Sequence, residues 1–228
     1  MLKDLIRLFI SRSCCACEKA LTSEESYLCG GCISQLPQTH FTESPTENEL
    51  YYRLGGKVPL HGATGLFYFD KKGLLQQVIK TLKYDNLPQL GEELGRMLGT
   101  HLRDSEFIKE VEVLVPVPLH PRKQIKRGYN QAESIAIGMG KELALPVNTT
   151  HLKRSKFTTS QTRHSIEERY QNMQGAFTAK ELSEKGILLV DDVVTTGATV
   201  EACIHALVGV QPASTTYKVA AVGVARKS

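Results

Sequence analysis

Two adjacent carboxylates, Asp191 and Asp192, follow the apolar run Ile187-Leu188-Leu189-Val190 and precede Val193-Val194-Thr195-Thr196-Gly197-Ala198-Thr199. Four large apolar residues in succession describe a strand buried on both faces, and the carboxyl end of such a strand is where open α/β sheets place their ligands. The Thr- and Gly-rich segment runs into a helical pattern with Val200, Ile204, Leu207 and Val208 toward the sheet, so it offers backbone N–H groups and hydroxyls to a phosphate. Acidic oxygens suited to hydroxyls or a metal therefore stand beside donors suited to a phosphate, and a sugar phosphate needs both. The plainer alternative is a strand followed by a capped helix, with Asp191 or Asp192 as the cap.

A second constellation lies near the N-terminus. Cys14-x2-Cys17 and Cys29-x2-Cys32 are two knuckles separated by eleven residues, and two thiolate pairs presented from tight turns satisfy tetrahedral zinc at about 2.3 Å per sulfur. Gly30 and Gly31 suit such a turn. Cys15 is a rival to Cys14, although the x2 spacing favours Cys14. Two disulfides, or a set of plain core cysteines, are the alternatives. Four cysteine ligands fill the coordination shell, so a zinc here is expected to be structural. From Cys14 to about residue 40 the chain is too poor in large apolar residues to bury a core, and metal binding can supply the ordering energy it lacks.

The elements that must position these groups read as an alternation. Residues 61–70 form a strand pattern, and Leu74, Leu75, Val78, Ile79 and Leu82 have helical spacing. A helix after Pro88 carries Leu90, Leu94, Met97, Leu98 and Leu102 on one face. Val111 to Val117 reads as a buried strand ended by Pro118, and Asn130 with Glu133 caps a helix reaching toward Pro146. Val147 to Lys153 and Tyr217 to Val224 read as further strands. Strand alternating with helix argues for a parallel sheet covered on both faces. Residues 40–57, with Ser44, Pro45, Gly55 and Gly56 and no sustained period, read as a linker or surface excursion. The expected organisation is a four-cysteine zinc module at 1–40, a linker at 41–60 and an α/β domain at 61–228.

The 228 residues suffice for one full domain and a small appendage. At 41% hydrophobic and 23% charged, with a net charge of +4, the composition is that of an ordinary globular protein. No apolar run is long enough for a membrane span. Residues 1–10 mix apolar side chains with Lys3, Asp4 and Arg7 and lack a secretory pattern, so a cytoplasmic protein is expected. The mild positive charge permits contact with phosphates but falls short of a dedicated DNA-binding footprint.

Val190 to Thr199 resembles the phosphoribosyl pyrophosphate (PRPP) loop of type I phosphoribosyltransferases. Val115-Pro116-Val117-Pro118-Leu119-His120-x-x-Lys123 with Arg127-Gly128-Tyr129-Asn130-Gln131-Ala132-Glu133, and Lys153-Arg154-x-Lys156-x-Thr158-x-x-Gln161 with Arg169-x-x-Asn172-x-x-Gly175-Ala176-Phe177, resemble motifs of the ComF family. With the cysteine pairs and Leu36-Pro37, the resemblance covers nearly the whole chain from Cys14 onward. Arg12 and Ser13 depart from the aromatic and proline usual before the first cysteine, and Tyr129 stands where Phe is common.

The resemblance implies a type I phosphoribosyltransferase fold: a central, mostly parallel sheet flanked by helices, a small hood, and an N-terminal zinc ribbon-like module. It implies that Asp191 and Asp192 hold the ribose hydroxyls, directly or through magnesium, and that Val193 and Thr195, Thr196, Gly197, Ala198 and Thr199 hold the 5′-phosphate. It nominates the turn at Leu119, His120 and Arg122 for pyrophosphate, the alternative for His120 being an ordinary turn histidine. Lys156, Gln161 and Arg169 are its candidates on a loop that closes over the sugar, the alternative being a solvated loop. The hood is expected from His61 to Ser105. Three functions follow from the resemblance: transfer of phosphoribose from PRPP to an unidentified acceptor; handling of incoming single-stranded DNA in natural transformation beside a helicase-like partner; and PRPP sensing by a degenerate transferase. Oligomerisation is compatible with each.

Overall fold

The computed structural model describes residues 13–154 and 175–226. Its centre is a four-stranded parallel sheet of β1 (Gly62–Phe69), β2 (Val113–Pro116), β5 (Gly186–Val194) and β6 (Thr216–Ala225), in the order β1-β6-β5-β2. Pairing brings Val113 opposite Ile187, Gly186 opposite Thr216 and Gly62 opposite Lys218. Because side chains alternate across a strand, Ile187, Leu189, Val219 and Ala221 join one core while Leu188, Val190, Ala220 and Val222 join the other. Uninterrupted apolar runs are what a sheet covered on both sides requires.

One face is covered by α7 (Ala198–Val208), through Val200, Cys203, Ile204 and Leu207, and by Leu50 and Leu54 of α2 (Glu49–Leu54). The other is covered by α3 (Leu74–Tyr84), α4 (Pro88–Leu102) and α6 (Gln131–Leu143). Helices α4 and α6 approach closely because glycines face the contact: a Cβ at Gly95 would strike the Ile135 carbonyl, and one at Gly138 the Glu92 carbonyl. The cysteine segment with α1 (Gly30–Gln35) sends Cys14, Leu28, Cys32 and Leu36 into this same second core. The module thus borrows its apolar partners from the α/β domain.

Three expectations change. Residues 41–60 are not a loose linker. Phe41, Leu50, Leu54 and Val58 are buried, and the Asn48 side chain caps α2 by accepting from Leu50 N and Tyr51 N while donating to the Ala63 carbonyl. Nor is Val147 to Lys153 one strand of the main sheet. Val147 makes a single parallel bridge to Leu114, and the strand proper, β3 (Leu152–Arg154), pairs antiparallel with β4 (Phe177–Ala179) in a separate two-stranded sheet. The stretch 61–105 is only in part a hood: β1 belongs to the sheet and α4 flanks it. Helix α3 crosses the strand ends, since Leu75 sits against Gly223 of β6, Lys83 reaches Asp192 of β5, and the Leu82 carbonyl accepts from Tyr129 beyond β2.

The edge of β1 is lined by the incoming chain, with Gln38 bridging Phe67, Thr39 N donating to the Leu66 carbonyl and Tyr68 N to the Pro37 carbonyl. Among the described residues no helix is long and apolar enough to cross a membrane.

Candidate functional site

Both acidic residues stand near the carboxyl end of β5, and successive residues on a strand turn to opposite faces. Asp192 turns toward α3, where Lys83 Nζ lies 2.6 Å from its Oδ2. Asp191 turns toward the field of Arg154 and the buried Cys203. Both nevertheless line one cavity of about 220 Å³, walled also by Lys83, Pro118, Leu119, Lys123, Arg127 and Arg154. Burial, and then the neighbouring negative charge of Asp192, push the Asp191 carboxyl up to about 8; backbone hydrogen bonding and Lys83 oppose the shift.

The cavity is otherwise cationic. Burial pulls the Lys123 ammonium below its usual range, and repulsion from Arg154, Arg127 and Lys83 adds to the effect. Crowded cations of this kind cost free energy that a polyanionic ligand would recover. Arg127 is held by Gln131, whose Oε1 accepts from its Nη1 at 2.8 Å.

Val193, Thr195, Thr196, Gly197, Ala198 and Thr199 form a second, smaller hollow of about 30 Å³ that shares Asp191, Val193 and Thr199 with the first. Gly197 caps α7 with φ +88°, a conformation suited to glycine. The loop residues thus wall a hollow that reaches Asp191.

Leu119 lines the main cavity. His120 is buried and absent from the walls of both hollows; it caps the short helix α5 (Pro121–Arg127) by accepting from Arg122 N at 3.1 Å. Burial and the nearby Arg154, Arg122 and Lys123 charges lower its pKa. Arg122 is exposed on α5. Lys156, Gln161 and Arg169 lie outside the described residues.

Nothing in the sequence marks Lys83 as the partner of Asp192: Lys80, one turn earlier on the same helix, looks the same. A third cavity of about 360 Å³ adjoins the first across Pro118, Leu119, Asn130 and Arg154.

At the cysteine module, the sulfurs of Cys14, Cys17, Cys29 and Cys32 all lie within 4.8 Å of one another, with Cys17 and Cys29 at 3.8 Å. Tetrahedral bonds of about 2.3 Å require sulfurs about 3.8 Å apart, so these four could hold zinc. No disulfide joins any of the six cysteines in this structure. Cys15 stands outside the cluster. Its burial, then the neighbouring Cys14 charge, push its thiol up to about 12. Burial opposes ionisation of Cys14, but hydrogen bonds from the backbone of Cys29, Ala16 and Cys17 outweigh it and bring that thiol down to about 6.

Residues 83–227 match the Phosphoribosyl transferase domain family. Competence protein F of Haemophilus influenzae is 29% identical over 206 residues, covering 84% of this chain and 88% of that protein. DNA utilization protein YhgH of Escherichia coli is 30% identical over 131 residues, covering 55% of this chain and 57% of that protein. YhgH of Salmonella typhimurium matches to the same extent. With the β5 acids, the loop beside them and the N-terminal cysteine cluster all in place, this chain belongs to the phosphoribosyltransferase domain family, within its ComF group.

Proposed function

We propose that the protein binds PRPP with magnesium and transfers its phosphoribosyl group to an acceptor. The observation that carries this reading is the continuity of the acid-lined cationic cavity with the small hollow of the Thr- and Gly-rich loop through Asp191, Val193 and Thr199. In this reading the loop amides and hydroxyls of residues 195–199 hold the 5′-phosphate, and Asp191 and Asp192 orient the ribose hydroxyls. Lys83, Lys123, Arg127 and Arg154 face the diphosphate. Asp191 and Asp192 would hold the magnesium, which would neutralise charge on the departing pyrophosphate. The bond from the anomeric carbon to pyrophosphate oxygen breaks with its electrons on the leaving group, a bond forms from the acceptor's nucleophilic atom, and the acceptor loses a proton. Cations fixed around the leaving group stabilise the charge as it develops.

The names of the relatives favour a role in competence or DNA utilisation. One observation supports a second reading, single-stranded-DNA handling or PRPP sensing beside a helicase-like protein: α5 has no buried residue and carries Arg122, Lys123, Lys126 and Arg127 with the exposed Ile125. Calorimetric titration with PRPP and magnesium, wild type against Asp191→Ala/Asp192→Ala, tests the first reading, together with a nucleobase screen for pyrophosphate release. Binding that ignores both substitutions would refute it. Binding without release, with oligonucleotide affinity falling steeply with salt, would favour the second.

A further inference from the structure

A loop that aims its N–H groups inward at an anion must aim carbonyls outward, and those carbonyls need donors from elsewhere in the fold. Thr195 meets this need in an unexpected place. Its carbonyl accepts from Arg53 Nη1, while Arg53 Nη2 donates to the Ala225 carbonyl at 2.7 Å. One guanidinium thus ties the loop after β5 to the end of β6, and its planar fork suits two acceptors at once. The Arg53 side chain is 12% exposed, and Glu49 Oε1, one helical turn away, lies 3.8 Å from it.

Two neighbours act on the same loop. A Cβ at Gly197 would fall 2.5 Å from Leu54 Cδ2, so Leu54 presses on the turn from behind. Lys57 Nζ lies 2.7 Å from Oε1 of Glu201, whose side chain is 2% exposed in the first turn of α7. Asn48 anchors this whole segment to β1 through the Ala63 carbonyl.

We infer that residues 49–57 are a clamp that holds the phosphate loop in its anion-ready shape, with Arg53 as the principal positioning residue and Lys57 as a second strut. Arg53 acts through Thr195 and does not itself touch the ligand. The ligand part of the inference rests on the PRPP reading above; the ordering of the loop does not.

The test is NMR relaxation of the ligand-free full chain, comparing wild type with Arg53→Ala, Arg53→Lys and Lys57→Gln. Order parameters at residues 195–199 should fall in Arg53→Ala from about 0.85 toward 0.6, with β5 residues 187–190 unchanged. Arg53→Lys keeps the charge but lacks the planar fork that reaches both carbonyls, and should restore part of the order. Lys57→Gln, a milder change, should show the same local pattern if Arg53→Ala fails to fold. In parallel, ribose 5-phosphate affinity should weaken about tenfold in Arg53→Ala, because binding must then order a loop that is no longer tied down. Unchanged order at residues 195–199 in the folded variants, or loss spread evenly over the domain, overturns the clamp. Failure of wild type to bind ribose 5-phosphate sinks the PRPP reading and leaves the ordering result to decide the clamp alone.

Discussion

Lys83 Nζ meets Asp192 Oδ2 at 2.6 Å, whereas Asp191, its neighbour in the chain, faces the other side of the sheet, where burial lifts its pKa to about 8. Two carboxylates adjacent in sequence therefore meet different surroundings. Asp192 is compensated by an ammonium, and Asp191 retains a proton over much of the neutral range.

The ion pair should be measurable. Lys83→Met and Asp192→Asn should each lower stability, and the double variant should lose less than their sum. A coupling of about 1 kcal/mol is expected for a half-buried contact of this kind. Denaturant titration of the four proteins gives the value, and strict additivity would show that the pair contributes nothing.

Asp191 imposes a pH dependence. Its folded pKa, about 8, lies above the ordinary value of 3.8, so between those values the folded state holds a proton that the unfolded chain has released. Stability from this group is fully present below about pH 4 and is lost as pH rises toward 8. The difference between wild type and Asp191→Asn, followed by chemical denaturation at about pH 5, 6.5 and 8, should shift against wild type as the pH rises. A constant difference would contradict the assignment.

Metal content separates the cysteines. We expect one zinc per chain by elemental analysis, lost in Cys14→Ser or Cys32→Ser and kept in Cys15→Ser. Structural zinc contributes on the order of 10 kcal/mol to the order of such a module. Because Cys14, Leu28, Cys32 and Leu36 share a core with Leu66, Leu75 and Leu94, chelation should also lower the thermal midpoint of the α/β domain. A Cys15→Ser protein without zinc would reassign the ligands.

Glycine positions test close packing. Gly197→Ala meets both a left-handed backbone and Leu54, and should cost about 1–3 kcal/mol along with ribose 5-phosphate affinity. Gly95→Ala, forced against the Ile135 carbonyl, should cost a similar amount of stability, yet leave that affinity unchanged in the folded fraction. Thermal melts with ligand titrations distinguish the two.

Local patterns carried much of this fold. Ile187 to Val190 announce a strand covered on both sides because a fully buried strand needs no polar alternation, and the two Cys-x2-Cys knuckles announce their cluster by spacing. What local pattern cannot show is a partner more than a hundred residues away. Lys83 is marked only by Asp192, and Arg53 only by Thr195 and Ala225. Residues 41–60 have the look of a linker because α2 is six residues long. Its apolar pair, Leu50 and Leu54, is one helical repeat and too short to register as a period. Val147 to Lys153 has strand composition, yet only its last two residues enter a strand, because Asn148 Oδ1 accepts from Thr150 N and His151 N and turns the chain.

The segments bridging Phe67 and Leu114 flank the sheet at both of its lateral strands. A strand from another molecule would find the backbone groups beside Gln38 and Val147 already engaged, so extension of the sheet from copy to copy is discouraged. Assembly through the lateral strands of this sheet is thereby disfavoured, and its helical faces, where charge and shape select the neighbour, offer side-chain contacts instead.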